Sequence, residues 1–297
     1  MAHGRALVLP GLVPLAPGNL AAILGVEDAH LELAAEVCGF DPARVRADDP
    51  SRLPTTVHEA LLTVAVVRRM EEEGGGWDAV GGLSAGCLPA LLAAGAIGER
   101  TCLRLAHEIN TLQAARTGLR RTGTTVAVLA PSEADAVHLM RLLAEEGHDP
   151  WWSIDLGGGV VGIAVPAHDP EPLAERLRRL GVMVLDTADR AEHCPYAAPT
   201  RDEFAGILAD APIGPARVPV VSPLTGKAVD RGPEALRAML VEQWFDTASL
   251  PRLVDGLLGA EGVHAVDLVS PARSVYVARM RDLVRGRGGH RLLALPG

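Results

Sequence analysis

The sequence predicts an α/β fold with a ferredoxin-like (βαββαβ) subdomain inserted into it. Three observations carry that expectation. The stretch "VGGLSAGCLPALLAAGAIG", Val80 to Gly98, reads as a strand, a glycine-rich turn holding one serine, and an alanine-rich helix. Residues 122–187 then alternate as strand, helix, hairpin, helix and strand. Strand and helix patterns return after that module. Residues 1–121 and 188–297 are therefore expected to form one α/β domain around the 122–187 insert.

The elements follow in order. Ala6 to Leu9 is a short apolar run ended by Pro10-Gly11, a strand entering a tight loop. Helical spacing appears at Asn19–Leu24, Ala29–Val37 and, without breakers, Thr56–Glu73, which glycines 74 to 76 stop. Trp77–Val80 reads as a strand, and Cys87–Ala96 and Glu99–Ala115 as helices. In the insert, Thr124–Leu129 is β-like. Ser132 caps a helix to Glu146, Trp152–Val165 is a hairpin around "DLGGG", Pro170–Leu180 is helical and Val182–Leu185 is a strand. Beyond it come the strand and turn of "VPVVSPLTG", helices at Pro233–Trp244 and Leu250–Leu258, the strand "VHAVDLV" and a helix from about Ala272.

Composition narrows the function classes. At 297 residues the chain has length for a substantial core. A net charge of -9 argues against a nucleic-acid partner held through phosphates. Gly, Pro or charge interrupts each long apolar stretch, so no membrane span is expected, and the run before Pro10 is too short for a signal-peptide core. Cys38, Cys87, Cys102 and Cys194 have no CxxC spacing, so neither zinc nor a redox pair is indicated. A reduced cytoplasmic setting and a monomer are the expectations.

The serine of "GLSAG" carries the chemistry. In a G-x-S-x-G turn the glycines let a strained elbow project the serine oxygen above a sheet, which makes the core α/β-hydrolase-like. The amide of the next residue, Ala85, and the helix N-terminus then favour an oxyanion. The alternative is an inert turn serine. A nucleophilic serine needs a base. Of ten histidines, His30, His58, His107 and His138 fall within helices, and His148 and His168 within loops of the insert. His193, in "DRAEHCPYAAP", lies where the chain leaves the insert and is the best candidate.

At these residues the chain resembles the malonyl-CoA:acyl-carrier-protein transacylase family, which includes the acyltransferase domains of polyketide synthases. "ALVLPG" resembles its first strand and loop, "GLSAGCLPALLAAGAIG" its elbow and "EHCPYAAP" its histidine loop. "VPVVSPLTG" and "VSPARSV" resemble its late strand and Gly-Pro-Gly loop, and the insert its small subdomain. The resemblance implies a Ser84–His193 dyad, an oxyanion hole from the Leu12 and Ala85 amides, and a backbone carbonyl near Val269 and Ser270 orienting the imidazole. It implies no bound cofactor. The phosphopantetheine thioester would arrive on coenzyme A or on an acyl carrier protein, the expected partner.

The departures from the family concern the cargo. Malonyl-carrying members have an arginine 25 positions after the nucleophile, where this chain has Ile109; Arg104 lies more than a turn away. Without it a buried malonyl carboxylate would be unpaired, which is costly. Glu192 stands before the base, where the family is aromatic or small, and suits an ammonium; alternatively it faces solvent or pairs with Arg190. Asp155 takes a family asparagine position, and Leu83 of the elbow is a further candidate pocket residue. "PGLVPL" replaces the family's Gln-Gly-Ser-Gln loop. The expectation is transfer of a non-carboxylated acyl group, as in discrete aminoacyl or dipeptidyl transacylases of macrolactam pathways. The alternatives are an editing hydrolase, a malonyl transacylase and a catalytically weak docking protein. Carrier binding is expected at Arg116, Arg120 and Arg121, or at Arg279, Arg281, Arg285 and Arg287.

Overall fold

The structure, a computed structural model, describes residues 4–11, 13, 15–47, 53–116 and 123–296, the side chains of 113–116 excepted. Five parallel strands form its larger sheet: β1 (Arg5–Leu9), β2 (Ala79–Gly82), β7 (Val220–Val221), β10 (Ala265–Ser270) and β11 (Gly289–Ala294), with β8 (Ala228–Val229) added antiparallel to β7. The order is β11-β10-β1-β2-β7-β8. β1 lies at the centre because it is apolar on both faces. Leu7 and Leu9 point to one side and Ala6 and Val8 to the other, as strand alternation requires.

The first face is covered by α1 (Pro17–Leu24), α2 (Ala29–Cys38), α4 (Thr55–Glu72), α5 (Cys87–Ala93) and α6 (Glu99–Arg116), with α9 (Arg201–Ala209) and α10 (Pro233–Glu242). Among the described residues, only α4 and α6 run to 18 residues. The apolar stripe of α4 is buried from Val57 to Val67, and Gly74, Gly75 and Gly76 then turn the chain at positive φ. The second face receives α11 (Leu250–Leu258) and α12 (Val275–Val284).

The insert forms the smaller sheet. Its elements are β3 (Thr124–Leu129), α7 (Glu133–Glu145), β4 (Trp151–Gly157), β5 (Val160–Val165), α8 (Glu171–Arg179) and β6 (Met183–Ala188). The order β6-β3-β5-β4 is antiparallel, the ferredoxin-like arrangement. Two helices cover one side over Val126, Val128, Ile163 and Leu177. A fifth strand, β9 (Ala248–Ser249), joins β4 in parallel from outside residues 122–187. Asp155 and Ser249 clasp this junction, Ser249 Oγ donating to Asp155 Oδ2 at 2.9 Å.

Several elements differ from the sequence expectation. Helix α3 (Pro42–Ala47), α9, β8, β9 and β11 were not anticipated. β2 lies two residues later than the apolar run suggested, because Ala79 to Gly82 pairs with Ala6 to Leu9 and hydrogen bonding sets the register. The last helix starts at Val275 rather than about Ala272, since Pro271 to Ser274 form a turn, the Ser274 amide donating to the Pro271 carbonyl, with Ser274 at the N-cap.

Candidate active site

The C-terminal ends of β1 and β2 bring Pro10-Gly11 against the serine turn. Ser84 has φ 54°, a left-handed value that a non-glycine residue adopts only under constraint. The flanking glycines supply that constraint by close approach. A Cβ on Gly82 would overlap the Gly86 carbonyl, and one on Gly86 would overlap the carbonyls of Leu9 and Pro10. The Cys87 thiol donates to the Gly82 carbonyl at 3.2 Å and ties strand to helix. Its burial pushes the thiol pKa up to about 12, so it stays protonated.

His193 comes to this elbow from the chain leaving β6. It is fully buried at φ 54°, and its Nε2 lies 2.8 Å from Ser84 Oγ. Its Nδ1 lies 2.5 Å from the backbone oxygen of Gln243. A carbonyl can only accept, so Nδ1 carries the proton and the bare Nε2 faces the serine. Burial holds the imidazole pKa below its ordinary value, which keeps it neutral and able to accept a proton. The loop is anchored from behind, Ser153 Oγ donating to the Glu192 carbonyl at 2.7 Å. Trp244 packs against the ring, centroid to centroid at 5.6 Å.

This arrangement corrects one expectation. The carbonyl on the imidazole belongs to Gln243, at the end of α10, and not to the loop around Val269 and Ser270. The reason is register: Leu295 N–H donates to the Ser270 carbonyl, so that end of β10 is spent on pairing. Every residue carries a carbonyl, so no sequence signal could have selected Gln243.

Beside the dyad opens a cavity of about 530 Å³, its mouth included. Leu88, Ile109, Phe204, Leu208, Leu240 and Trp244 line it with Ser84 and Ala85. Ile109 therefore sits where the sequence put it, and it is buried. Glu192 also lines the cavity, but its carboxylate is paired with Arg190, which reaches the same cavity from its own loop. Asp155 does not reach it. Its oxygens accept from Ser249 Oγ and from the Gly157 amide at 2.8 Å. Leu83 is also elsewhere, fully buried in the apolar cluster with Val221, Leu253 and Tyr276, because neighbours on an extended segment point to opposite sides. Leu12, Arg120 and Arg121 lie outside the described residues, as does the side chain of Arg116. Next to Leu12, a Cβ on Gly11 would crowd the Tyr276 hydroxyl at 3.0 Å. His58 orders the following residues, accepting from the Leu15 amide at 2.8 Å.

Two polar groups of the cavity escaped sequence reasoning. Glu59, on α4, is buried and lines the cavity, its carboxylate accepting from the Asn110 side-chain amide. Burial pushes its pKa up to about 7, and the negative charge of Glu192 adds to the shift. The Gln243 side-chain oxygen is buried without a hydrogen-bond partner among the described residues. A lone glutamate within a helical apolar stripe was the available signal for Glu59.

Away from the cavity, Arg279 and Arg285 both pair with Asp282, Arg287 pairs with Asp255, and Arg281 is exposed on α12. Among the described residues no helix is long and apolar enough to cross a membrane, and no group of three or more His, Cys, Asp or Glu residues could hold a metal ion.

No protein-family profile matches the chain. It is 30% identical over 257 residues to the polyketide biosynthesis protein ThaF of Burkholderia thailandensis. That covers 82% of this chain and 22% of ThaF, so the chain spans about a fifth of that relative's length. An acyl carrier protein S-malonyltransferase of Vibrio cholerae superposes with a TM-score of 0.76 at 23% identity, covering 97% of this chain and 96% of that one. A type II polyketide synthase malonyl-transacylase, solved with its acyl carrier protein, gives 0.80 at 22% identity over 97% and 95%. The malonyl-CoA:acyl carrier protein transacylase of Xanthomonas oryzae gives 0.79 at 22% identity over 99% and 95%. With nearly the whole chain superposed at TM-scores of 0.76 to 0.80, this protein has the fold of the malonyl-CoA:acyl-carrier-protein transacylases.

Proposed function

We propose that this chain is an acyltransferase that carries an acyl group on Ser84 between a thioester and the phosphopantetheine thiol of a carrier protein. The observation that carries the reading is the 2.8 Å approach of a strained serine to the unprotonated nitrogen of a buried, oriented histidine. Ser84 Oγ attacks the thioester carbonyl while His193 Nε2 takes its proton. The tetrahedral oxyanion collects beside the Ala85 amide, at the start of a helix. Collapse breaks the carbon–sulfur bond, and the imidazolium returns its proton to the departing sulfur. The acyl-serine ester is then attacked by the carrier's thiol through the same steps in reverse. ThaF's name and the carrier protein seen with one similar transacylase support polyketide carrier proteins as partners.

The cargo is an acyl group without a free carboxylate, with aminoacyl and dipeptidyl groups as the candidates. Ile109 offers nothing to a carboxylate, and the arginine in the cavity, Arg190, is already neutralised by Glu192. That arginine favours one second reading, malonyl transfer, in which substrate displaces Glu192 from Arg190. Intact-mass measurement after exposure to malonyl-, acetyl- and aminoacyl-carrier proteins separates the readings. An aminoacyl adduct absent in Ser84→Ala is expected. A malonyl adduct formed in preference overturns the cargo assignment. Free acid released without a second carrier would make the chain a hydrolase, and absence of every adduct would leave it a docking protein.

A further inference from the structure

The cavity beside Ser84 has hydrogen-bond acceptors for which the protein supplies too few donors. Besides Ser84 and Gln243, its lining is polar at two places. One is the Arg190–Glu192 pair, which is self-neutralising. The other is the buried Glu59 with Asn110. Asn110 is the one hydrogen-bond donor to Glu59 among the described residues, and a carboxylate accommodates several. Gln243 lines the same space, and its side-chain oxygen is buried and lacks a donor among the described residues. Buried acceptors without donors are costly unless a ligand completes them.

We infer that Glu59 and the Gln243 side chain form a receptor for an ammonium group on the acyl chain, with Asn110 holding the carboxylate in place. This rests on the acyl-Ser84 reading only for how the cargo arrives. An ammonium brings three donors and one positive charge. It gives the Gln243 oxygen a donor, adds donors to Glu59 beyond Asn110, and balances a cavity whose formal charge, with Glu59 ionised, is one negative. A methyl at the same place would leave both acceptors dry. A carboxylate there would stand against Glu59 as a like charge. Glu59 is raised toward neutrality by burial, so an arriving ammonium displaces its proton to solvent. The titratable groups that act on Glu59 are Glu192 and Arg190 of the cavity, paired with each other, and the buried Cys38 and Cys102 thiols.

The test compares pantetheine thioesters of 4-aminobutanoate and of butanoate by the rate of Ser84 acylation. The unmodified chain should prefer the amine at least tenfold, and Glu59→Gln should bring the ratio close to one. A ratio that survives Glu59→Gln, or an unmodified chain that prefers butanoate, overturns the assignment. Calorimetry with the corresponding pantetheine amides reads the receptor without turnover and without a variant. Near pH 6, the aminoacyl amide should bind at least tenfold more tightly and release close to one proton, and the butanoyl amide none. Equal affinities, or binding without proton release, overturn it. If no thioester acylates Ser84 but the amides still behave as expected, the acyltransferase reading fails and the receptor stands.

Discussion

His193 and Glu59 are both buried ionisable groups, but their shifts run in opposite senses and leave opposite signatures. The folded His193 has a lowered pKa, so below about 6.5 the unfolded chain binds a proton that the native chain refuses. Its contribution to stability is therefore lost on acidification. Ser84 acylation should rise with pH through an apparent pKa below 6.5 and then level off, which a single-turnover pH profile checks. Glu59 is raised from 4.5 to about 7. Between those values the native chain holds a proton that the unfolded chain has lost, so stability falls as pH rises through the window. Glu59→Gln should remove that slope and gain up to about 3 kcal/mol at pH 8 relative to pH 4, measured against the unmodified chain by urea unfolding. Replacing His193 with Ala should slow acylation by about 100-fold or more. Gln243→Ala keeps the carbonyl that orients the imidazole, so its effect should fall on amine preference rather than on the maximal rate.

Among the elements, the serine turn depends on two glycines for space. Gly82→Ala forces a methyl into the Gly86 carbonyl, and Gly86→Ala forces one into the carbonyls of Leu9 and Pro10, of which the Leu9 carbonyl is held by the Leu83 amide. Either change should cost about 2–4 kcal/mol in denaturant unfolding, more than an exposed ion pair such as Arg285–Asp282, which should cost under about 1 kcal/mol. This turn was legible in the sequence because glycine, serine and glycine were punctuated by an apolar run before and an alanine-rich run after. The helices other than α3 and α9 were legible for the same reason, Leu250–Leu258 to the residue. The two-residue strands β8 and β9 were not, because only their partners Val220–Val221 and Ile154–Asp155 define them. β11 was hidden by its exposed, arginine- and glycine-flanked sequence at the sheet edge. Asp155 and Leu83 were misplaced because family position does not tell which way a strand residue faces, whereas Ile109 and Glu192 were placed in the cavity correctly.

At the scale of the whole molecule, the large sheet is fastened at its lower end by one buried carboxylate. Asp267 of β10 is fully buried and accepts from Arg5 Nε at 3.0 Å, Arg291 Nη2 at 3.0 Å and Trp77 Nε1 at 2.9 Å, joining β1, β10, β11 and the approach to β2. Asp267→Ala leaves the Trp77 indole N–H without its acceptor and two part-exposed arginines without their shared partner, and should cost about 1–3 kcal/mol, read as a lowered urea midpoint. At the opposite end the two sheets meet across the active site, and they do not share its parts equally. Ser84 rides on β2 of the large sheet. The loop of His193 is held by Ser153 of β4, and the segment after Gln243 is tied to the same strand through Thr247 Oγ1 on the Trp152 carbonyl and through β9. Both supports of the imidazole are thus moored to the small sheet. The gap between Ser84 and His193 is in effect a ruler between two bodies, and a tilt of the small sheet by an ångström would be read out directly as proton-transfer distance.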